Sequence, residues 1–441
     1  MNNPIGPAFR AQPSRLFVEV TTRCNLRCRM CVKQSSGADA REGDMSPETF
    51  RTLEPALAGL DALVLNGVGE PLLHKRIVEF IARAKERLPA TAWAGFQTNG
   101  HLLDEPMALA LVRAGLDRIC VSIDALSRDM FTRCREGGDV SRVERALAAL
   151  REAKRKTPAS RLQVGVEFVL MRDNLPELPA TLRWAATRGV SSAIVTHILP
   201  YDPSMAGQVL FGRNTDASRR FHAAWEAAAR GQGIDMGRYF SLLWKYEKTA
   251  EDKKIIRAVQ QMHLAAAAKG IPLHLRNLLQ DAPSGRVEAD AVFAQAREAA
   301  QQCGISLHLP ALAPAFDRRC AAVENGGAFI TWDGLVSPCY SLWRKYACHF
   351  HGRTKPVTPK YFGDLAGSGL LDIWNSAPYV DFRNAVVRDE YPYCANCNVY
   401  PCSDIDNADQ TFDCYGEEVP CGDCLWCLGL LQCLGQEHDA A

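Results

Sequence analysis

An apolar run that leads directly into three cysteines is the most informative part of this chain. It reads Leu16-Phe17-Val18-Glu19-Val20-Thr21-Thr22-Arg23-Cys24-Asn25-Leu26-Arg27-Cys28-Arg29-Met30-Cys31. Its first part is β-rich and predicts a strand. Three thiolates spaced by three and then two residues can bind one face of a cubane iron–sulfur cluster and leave the fourth iron without a protein ligand. An open iron can bind a substrate or a cofactor, as the open position does at catalytic zinc.

Two alternatives to a cluster stay open for these cysteines. A zinc site would need a fourth local Cys or His, and the nearest in sequence is His74. The other alternative is three unrelated buried thiols. The position of the cysteines at the carboxyl end of the predicted strand favours a functional site, because barrel active sites are built at that face.

A strand–helix alternation extends from Leu16 to about Pro200 and predicts the fold class. Six β-rich runs are separated by amphipathic stretches, and a helix start is visible at Ser46-Pro47-Glu48. Such alternation implies parallel strands joined by right-handed crossovers. We therefore predict an α/β fold, a partial (βα)6 TIM-like barrel. Its predicted strands are Leu16–Thr22, Ala62–Gly67, Trp93–Thr98, Arg118–Asp124, Leu162–Met171 and Ser192–Leu199.

Composition shifts predict four parts along the chain. Residues 1–15 form an N-terminal extension, 16–212 the barrel, and 213–310 a helical insertion or further barrel-completing βα units. The third part contains two similar segments, 268–275 and 302–309, and each predicts a helix that ends at glycine and precedes a short strand. Residues 311–441 form a cysteine-rich domain that begins in a proline-containing linker.

Overall composition limits the compartment and the partners. The 441 residues include 51 basic and 50 acidic side chains, so the net charge of +1 disfavours nucleic acid as the main partner. The sequence shows no signal peptide and no apolar run of about 18 residues, so we expect a cytoplasmic protein without a membrane span. In that reducing compartment the 17 cysteines indicate metal binding or redox chemistry rather than disulfides.

The cysteine spacing after a strand resembles the signature of the radical S-adenosylmethionine (SAM) superfamily. The residue before the third cysteine is usually aromatic in that family and is Met30 here. Similar matches lie at the ends of the next three strands: a glycine–glycine–glutamate segment after the second, Gln97-Thr98-Asn99-Gly100 at the end of the third, and a Ser–Asp pair on the fourth. The resemblance assigns a [4Fe-4S] cluster to Cys24, Cys28 and Cys31, and SAM contacts to Gly67, Gly69, Glu70, Asn99, Ser122 and Asp124.

Each of these later segments also has a plain structural explanation. Glycine, glutamate and proline make ordinary turns, and so does the segment that contains Asn99. Ser122 and Asp124 are two residues apart and share one face of a strand, where they could form a buried capping pair.

The family resemblance implies a reaction. An electron from the cluster cleaves SAM into methionine and a 5′-deoxyadenosyl radical, which abstracts a hydrogen atom from the substrate, with ferredoxin or flavodoxin as the electron donor. No catalytic side chain is assigned, because hydrogen abstraction by the radical needs no general base. A non-catalytic carrier with several clusters is an alternative of another class, although a carrier would gain from a fourth cysteine at the first cluster.

The cysteine-rich tail resembles the SPASM extension of radical SAM enzymes, which carries two auxiliary [4Fe-4S] clusters. Cys320 is followed by thirteen residues, Gly334, four residues and Cys339, and paired CxxC elements come later. Structural zinc competes for the paired elements alone. By analogy, one cluster takes Cys320 and Cys339, with Cys414 as a candidate ligand. The other takes Cys394, Cys397, Cys402 and one late cysteine. Cys348 and Cys427 are taken as surplus, and Cys421, Cys424 and Cys433 are left unresolved among the remaining metal ligands.

Several segments resemble the subgroup of maturases for tungsten-cofactor oxidoreductases. We therefore expect the substrate to be a protein or peptide, with a tungsten-containing oxidoreductase or its cofactor as the first choice. Modification of a ribosomal peptide, by thioether or crosslink formation, is the second choice, and RNA modification is disfavoured by the balanced charge. The segments are Thr196-His197-Ile198-Leu199-Pro200-Tyr201, Asp413-Cys414-Tyr415-Gly416 and Pro420-Cys421-Gly422-Asp423-Cys424-Leu425-Trp426.

Overall fold

The computed structural model describes residues 6–35, 38, 41–280, 284–314, 319–351, 353–392, 394, 412–418 and 420–435. Two predicted cluster ligands, Cys397 and Cys402, lie outside these residues. Within the described ranges, none of the helices is both long enough and apolar enough to cross a membrane.

Six parallel strands form the barrel, and they lie side by side in the order of the sequence. This arrangement confirms the predicted α/β partial barrel. Most strand residues are buried, as parallel sheets covered on both faces require. The strands are β1 (Arg15–Val18), β2 (Ala62–Val64), β3 (Trp93–Thr98), β4 (Arg118–Ser122), β5 (Gln163–Leu170) and β6 (Ser192–His197).

Helices connect these strands and pack against the sheet. The predicted start at Ser46 is correct: its Oγ accepts a hydrogen bond from Thr49 N at 3.0 Å, and Pro47 is the first helical residue. The helices are α1 (Pro47–Arg51), α2 (Glu54–Leu57), α3 (Ile77–Lys85), α4 (Glu105–Arg113), α5 (Arg128–Cys134), α6 (Val140–Lys156) and α7 (Leu178–Ala186).

A helical unit follows β6 and has a small apolar core of its own. Of the two similar segments, the second forms the predicted strand β7 (Ser306–His308), which pairs with β6. The first ends its helix as predicted, with Gly270 at φ +65°, but the predicted strand is absent. Instead, the side chain of Asn214 accepts from His274 N and donates to His274 O. The helices are α8 (Asp216–Gly231), α9 (Tyr239–Leu243), α10 (Ala250–Ala268), α11 (Leu275–Gln280) and α12 (Ser284–Cys303).

The cysteine-rich part extends the barrel sheet at its other edge. Its first strand, β8, pairs in parallel with β1, so one 10-stranded sheet runs in the order β12-β9-β8-β1-β2-β3-β4-β5-β6-β7. A separate hairpin joins β10 and β11. The elements are α13 (Ala321–Glu324), β8 (Gly327–Ile330), β9 (Leu335–Ser337), β10 (Tyr346–Phe350), β11 (Arg353–Val357), β12 (Gly363–Asp364), α14 (Leu370–Trp374) and α15 (Ala377–Val387).

Residues 428–435, called the C-terminal segment here, return to the barrel and cross the inner face of its sheet. At β6, His197 N donates to Leu430 O at 3.3 Å and Gln432 N donates to Thr196 Oγ1 at 3.1 Å. At the far end of the segment, Gly435 O accepts from the Arg15 guanidinium and the glycine packs against Trp93. The segment thus spans the sheet from β6 to β1.

Candidate functional site

The loop that carries Cys24, Cys28 and Cys31 directly follows β1. Cys31 N donates to Cys28 O at 3.1 Å, which tightens the loop. Burial raises the pKa of all three thiols, that of Cys28 to about 11. Because the thiolate and not the thiol is the ligand, metal binding at this loop would release protons. Met30 packs into a buried apolar cluster with Met171 and Met205.

The glycine–glutamate segment packs tightly against the backbone of this cysteine loop. Glu70 N donates to Arg23 O at 2.7 Å, and a Cβ at Gly69 would lie 2.3 Å from Thr21 O. The buried Glu70 carboxylate accepts from Thr98 Oγ1 and from Asn99 N, both at 2.7 Å, and burial raises its pKa. Glu70 therefore ties the end of β3 to the loop that begins at Cys24.

We expect Gly69→Ala to disrupt SAM binding. The added methyl group would meet two backbone carbonyl oxygens, of Thr21 at 2.3 Å and Arg23 at 2.6 Å, and backbone atoms cannot swing away as a side-chain end can. The glycine–glutamate segment must therefore move away from the loop that carries the cysteines. Equilibrium dialysis of SAM against reconstituted protein should show an affinity at least about tenfold weaker, which corresponds to ~1.4 kcal/mol. Gly207→Ala is the control, because no heavy atom lies within 4 Å of its added Cβ. Unchanged affinity for the Gly69 variant would contradict the expectation.

Asn99 and Arg135 place polar side chains next to two of the cysteines. Asn99 Nδ2 lies 4.0 Å from Cys24 Sγ and donates to Asn25 Oδ1 at 2.8 Å. Arg135 Nη1 lies 4.0 Å from Cys28 Sγ. A cluster with thiolate ligands is anionic, so these donors suit it. Sequence patterns did not indicate Arg135, which immediately follows α5 and belongs to no motif.

Asp124 lies behind Arg135 as its buried partner. Their Oδ2 and Nε atoms are 2.6 Å apart, and the two side chains are almost completely buried. Asp124 Oδ1 also accepts from Val169 N at 2.8 Å. Ser122, the last residue of β4, is buried as well. The structure thus brings Asp124 to the cysteine loop through Arg135, while direct contact of Ser122 or Asp124 with SAM stays a prediction.

A second polar group lies on the inner face of the barrel. Gln97 Oε1 accepts from Asn66 Nδ2 and from Cys433 Sγ, the latter at 3.2 Å. Glu167 on β5 faces the same group: burial raises its pKa to about 7, while the charge of Arg135 and a hydrogen bond from Gln97 act in the opposite direction. Cys433, which the sequence analysis grouped with the metal ligands, lies here against β3, and its role as a ligand stays a prediction.

Glu167→Gln should make the protein more stable than the wild type at high pH. Between about pH 4.5 and 7 the Glu167 carboxyl is protonated in the native protein but not in the unfolded chain. The contribution of Glu167 to stability is therefore full below pH 4.5 and is lost as pH rises through 7. We expect a relative gain of about 2 kcal/mol between pH 5 and 8, less than the full shift would give because the side chain is partly exposed. Thermal unfolding of the metal-free protein at both pH values measures it. Glu152→Gln is the matched control, since the pKa of Glu152 is lowered to about 2 and lies below this window. A pH-independent difference would contradict the expectation.

Glu19 and Arg344 join the cysteine-rich part to the glycine–glutamate segment. Glu19 Oε1 accepts from Val68 N at 3.1 Å and lies 3.8 Å from Arg344 Nη2. Burial raises the pKa of Glu19 to about 7. The Arg344 guanidinium stacks over the Trp343 ring at 4.2 Å. This pair, which the sequence did not suggest, anchors the cysteine-rich part beside the glycine–glutamate segment.

Five of the late cysteines surround one cavity of about 60 Å³ in the cysteine-rich part. Lys355 lines this cavity, and its Nζ donates to Asp423 Oδ2 at 2.8 Å in a buried ion pair. The Cys427 thiol donates to Cys424, which lowers the pKa of Cys424 to about 6. No group of three His, Cys, Asp or Glu within the described residues could hold a single metal ion. The five cysteines are Cys320, Cys339, Cys421, Cys424 and Cys427.

Four other late cysteines of the described residues do not line this cavity: Cys348, Cys394, Cys414 and Cys433. Cys394 is half-buried, Cys414 is exposed, and Cys348 is buried in β10. Cys427, taken as surplus from the sequence, lies in the cavity wall, whereas Cys433 does not. The assignment of ligands to clusters therefore stays a proposal.

Comparison with known proteins identifies the class. Residues 18–185 match the model of the radical SAM superfamily, and residues 320–398 match the SPASM model, described as an iron-sulfur cluster-binding domain. The chain is a radical SAM enzyme with a C-terminal SPASM domain. The predicted class is thereby confirmed, together with its cofactors: a SAM-binding [4Fe-4S] cluster, SAM and auxiliary clusters. Three clustered thiols beside Asn99 and Arg135 fit the first cluster, and the five-thiol cavity fits an auxiliary one.

Individual relatives differ in how much of the chain they match. The tungsten-containing aldehyde ferredoxin oxidoreductase cofactor-modifying protein of Pyrococcus furiosus is 27% identical, over 95% of this chain and 96% of that protein. A GTP 3',8-cyclase of Caulobacter vibrioides is 34% identical, but the match covers only 41% of this chain and 50% of the cyclase. The crystal structure of native anSMEcpe with bound AdoMet and a peptide has a TM-score of 0.51 at 14% identity, covers 92% of each chain, and supports the fold alone.

Proposed function

We propose that this enzyme matures a tungsten-containing oxidoreductase or its cofactor. The supporting observation is the match to the cofactor-modifying protein of Pyrococcus furiosus, which extends over nearly the whole of both chains. The cyclase match, by contrast, covers about half of that enzyme. A shared barrel would explain a match over the barrel alone, but a match that also includes the cysteine-rich part favours a shared task.

The residues around the cysteine loop suit this role. Cys24, Cys28 and Cys31 would hold the first cluster, which supplies the electron that cleaves SAM and so generates a radical able to abstract hydrogen. Gly67, Gly69, Glu70, Asn99, Ser122 and Asp124 are the proposed SAM-binding residues. Asn99 and Arg135 donate toward the sulfur atoms, and the buried Met30 cluster keeps water from that side of the loop.

The proposed partners follow from the same comparison. The oxidoreductase, or its cofactor, is the substrate, and ferredoxin or flavodoxin is the electron donor. We place the reaction in the cytoplasm, where reduced thiols are maintained.

The test compares an oxidoreductase made with and without this enzyme. Anaerobically reconstituted protein, dithionite and SAM should first yield 5′-deoxyadenosine. A tungsten-containing oxidoreductase is then isolated from a strain that lacks this enzyme, and the masses of its cofactor and polypeptide are compared before and after incubation with the reconstituted protein. A change in mass that needs SAM supports the proposal.

Two results would overturn the proposal at different levels. Absence of 5′-deoxyadenosine in every condition contradicts an active radical SAM enzyme. Formation of 5′-deoxyadenosine without any change in the oxidoreductase or its cofactor contradicts the substrate. A SAM-dependent mass change in a short peptide encoded nearby would then establish the alternative, ribosomal peptide modification.

A further inference from the structure

The thiols around the late-cysteine cavity do not correspond to the matched SPASM domain alone. That match ends at residue 398, whereas three of the five thiols come from the CxxCxxC run at residues 421–427. The run folds back so that it faces Cys320, the residue before α13, and Cys339, which follows β9. Two separate stretches of sequence therefore build one site.

Four of these five thiols form the inner group. A smaller cavity of about 30 Å³ adjoins the first, and both cavities are lined by Cys320, Cys339, Cys424 and Cys427. Cys427 lies beside Cys320 and Cys424 in the lining of both cavities. Cys421 lines only the larger cavity, and its thiol shares a hydrogen bond with the Tyr391 hydroxyl. Cys421 is therefore the outer member of the group.

The surroundings suit an anionic cluster with four thiolate ligands. Apolar side chains, among them Val323, Leu342 and Phe382, form much of the wall and exclude water. The charged residues of the lining are Lys355, whose ammonium group is already paired with Asp423, and Asp389. Four thiolates complete the ligation of a [4Fe-4S] cluster, which leaves no open iron for a substrate.

We infer that Cys320, Cys339, Cys424 and Cys427 ligate one auxiliary [4Fe-4S] cluster, and that Cys421 is not a ligand. Cys414 and Cys433 have no part in this site: the first is exposed, and the second lies against β3. The cluster also fixes the start of the C-terminal segment, because Leu428 directly follows the last ligand and lines the same cavity. Cluster assembly thus holds in place the segment that crosses the barrel.

Metal analysis tests the ligand set without any substrate, so its outcome is independent of the proposed function. In a background with Cys24, Cys28 and Cys31 all replaced by alanine, each single variant of the four ligands to alanine should lose about four irons and the matching sulfide after anaerobic reconstitution. The electron paramagnetic resonance signal of that cluster should disappear after reduction. Cys421→Ala should keep the iron content and the electron paramagnetic resonance signal. Cys303→Ala, at an exposed thiol, should keep them as well.

Folding failure is controlled with serine variants and a second measurement. Cys424→Ser and Cys427→Ser keep the side-chain size, and far-ultraviolet circular dichroism checks their fold. Hydrogen exchange of residues 428–435 should be slow in the reconstituted protein and faster in these two variants, but unchanged in Cys421→Ala. Full iron content in the Cys424 and Cys427 variants, or an equal loss of iron in Cys421→Ala, would overturn the assignment.

Discussion

Replacement of Cys24, Cys28 and Cys31 by alanine together should abolish 5′-deoxyadenosine formation, down to the background of a reaction without protein. The three thiols are the only cysteines of the described residues in the loop after β1, and two of them, Cys24 and Cys28, lie 4.0 Å from the side-chain donors of Asn99 and Arg135. Without thiolate ligands the open iron cannot form, so no electron reaches SAM. The expected iron loss is about four per chain. Chromatography of the products after an anaerobic incubation with dithionite and SAM measures the loss.

A matched variant separates this effect from general damage. Cys303→Ala removes an exposed thiol at the end of α12 and should leave 5′-deoxyadenosine formation and iron content at the wild-type level. The melting temperature of the metal-free triple variant should stay close to that of the wild type, because alanine leaves no unpaired charge in the loop. Product formation that persists in the triple variant would show that SAM is cleaved at another cluster.

Asp124→Asn should cost about 3 kcal/mol of stability. The substitution leaves the Arg135 guanidinium without its carboxylate, which lies 2.6 Å away in the native protein, and both side chains are almost completely inaccessible. A buried charge that loses its partner keeps its desolvation cost but loses the attraction that compensates it. Calorimetric unfolding of the metal-free protein measures the change.

The double variant Asp124→Asn with Arg135→Met shows whether the loss of stability comes from an unpaired buried charge or from altered packing. Removal of both charges should restore part of the lost stability, because no buried charge is left unpaired. Glu152→Gln is the surface control, since its bond to Arg155 is also 2.6 Å long but lies in solvent, where ion pairs contribute little. Equal losses for the single and the double variant would contradict the proposed role of the pair.

The barrel and its first site could be predicted because their signals are local. A β-rich run, a turn and an amphipathic helix leave a pattern within about thirty residues, and the cysteine triplet directly follows such a run. The 302–309 segment met a free strand edge at β6 and formed β7, whereas the similar 268–275 segment is bonded through the side chain of Asn214. Equal sequence patterns therefore gave different structures because their neighbours differ.

Contacts between side chains that are distant in sequence could not be predicted. Arg344 reaches Glu19 only because β8 pairs beside β1, and Arg135 reaches Asp124 only because the chain turns back after α5. The five-thiol cavity likewise depends on how residues 421–427 fold back toward Cys320 and Cys339. The spacing of the cysteines led us to count Cys433 but not Cys427 among the predicted metal ligands. Spacing does not show in which direction a loop folds back.

The shared strand β1 has a consequence for electron movement between the two halves. Four consecutive residue pairs, from Arg15 with Gly327 to Val18 with Ile330, connect the barrel to the cysteine-rich part, and the cysteine loop begins a few residues beyond the end of this ladder. A hinge between the halves would have to break these backbone bonds. A hinge motion at this ladder therefore cannot set the distance that an electron would cross between the two proposed cluster sites.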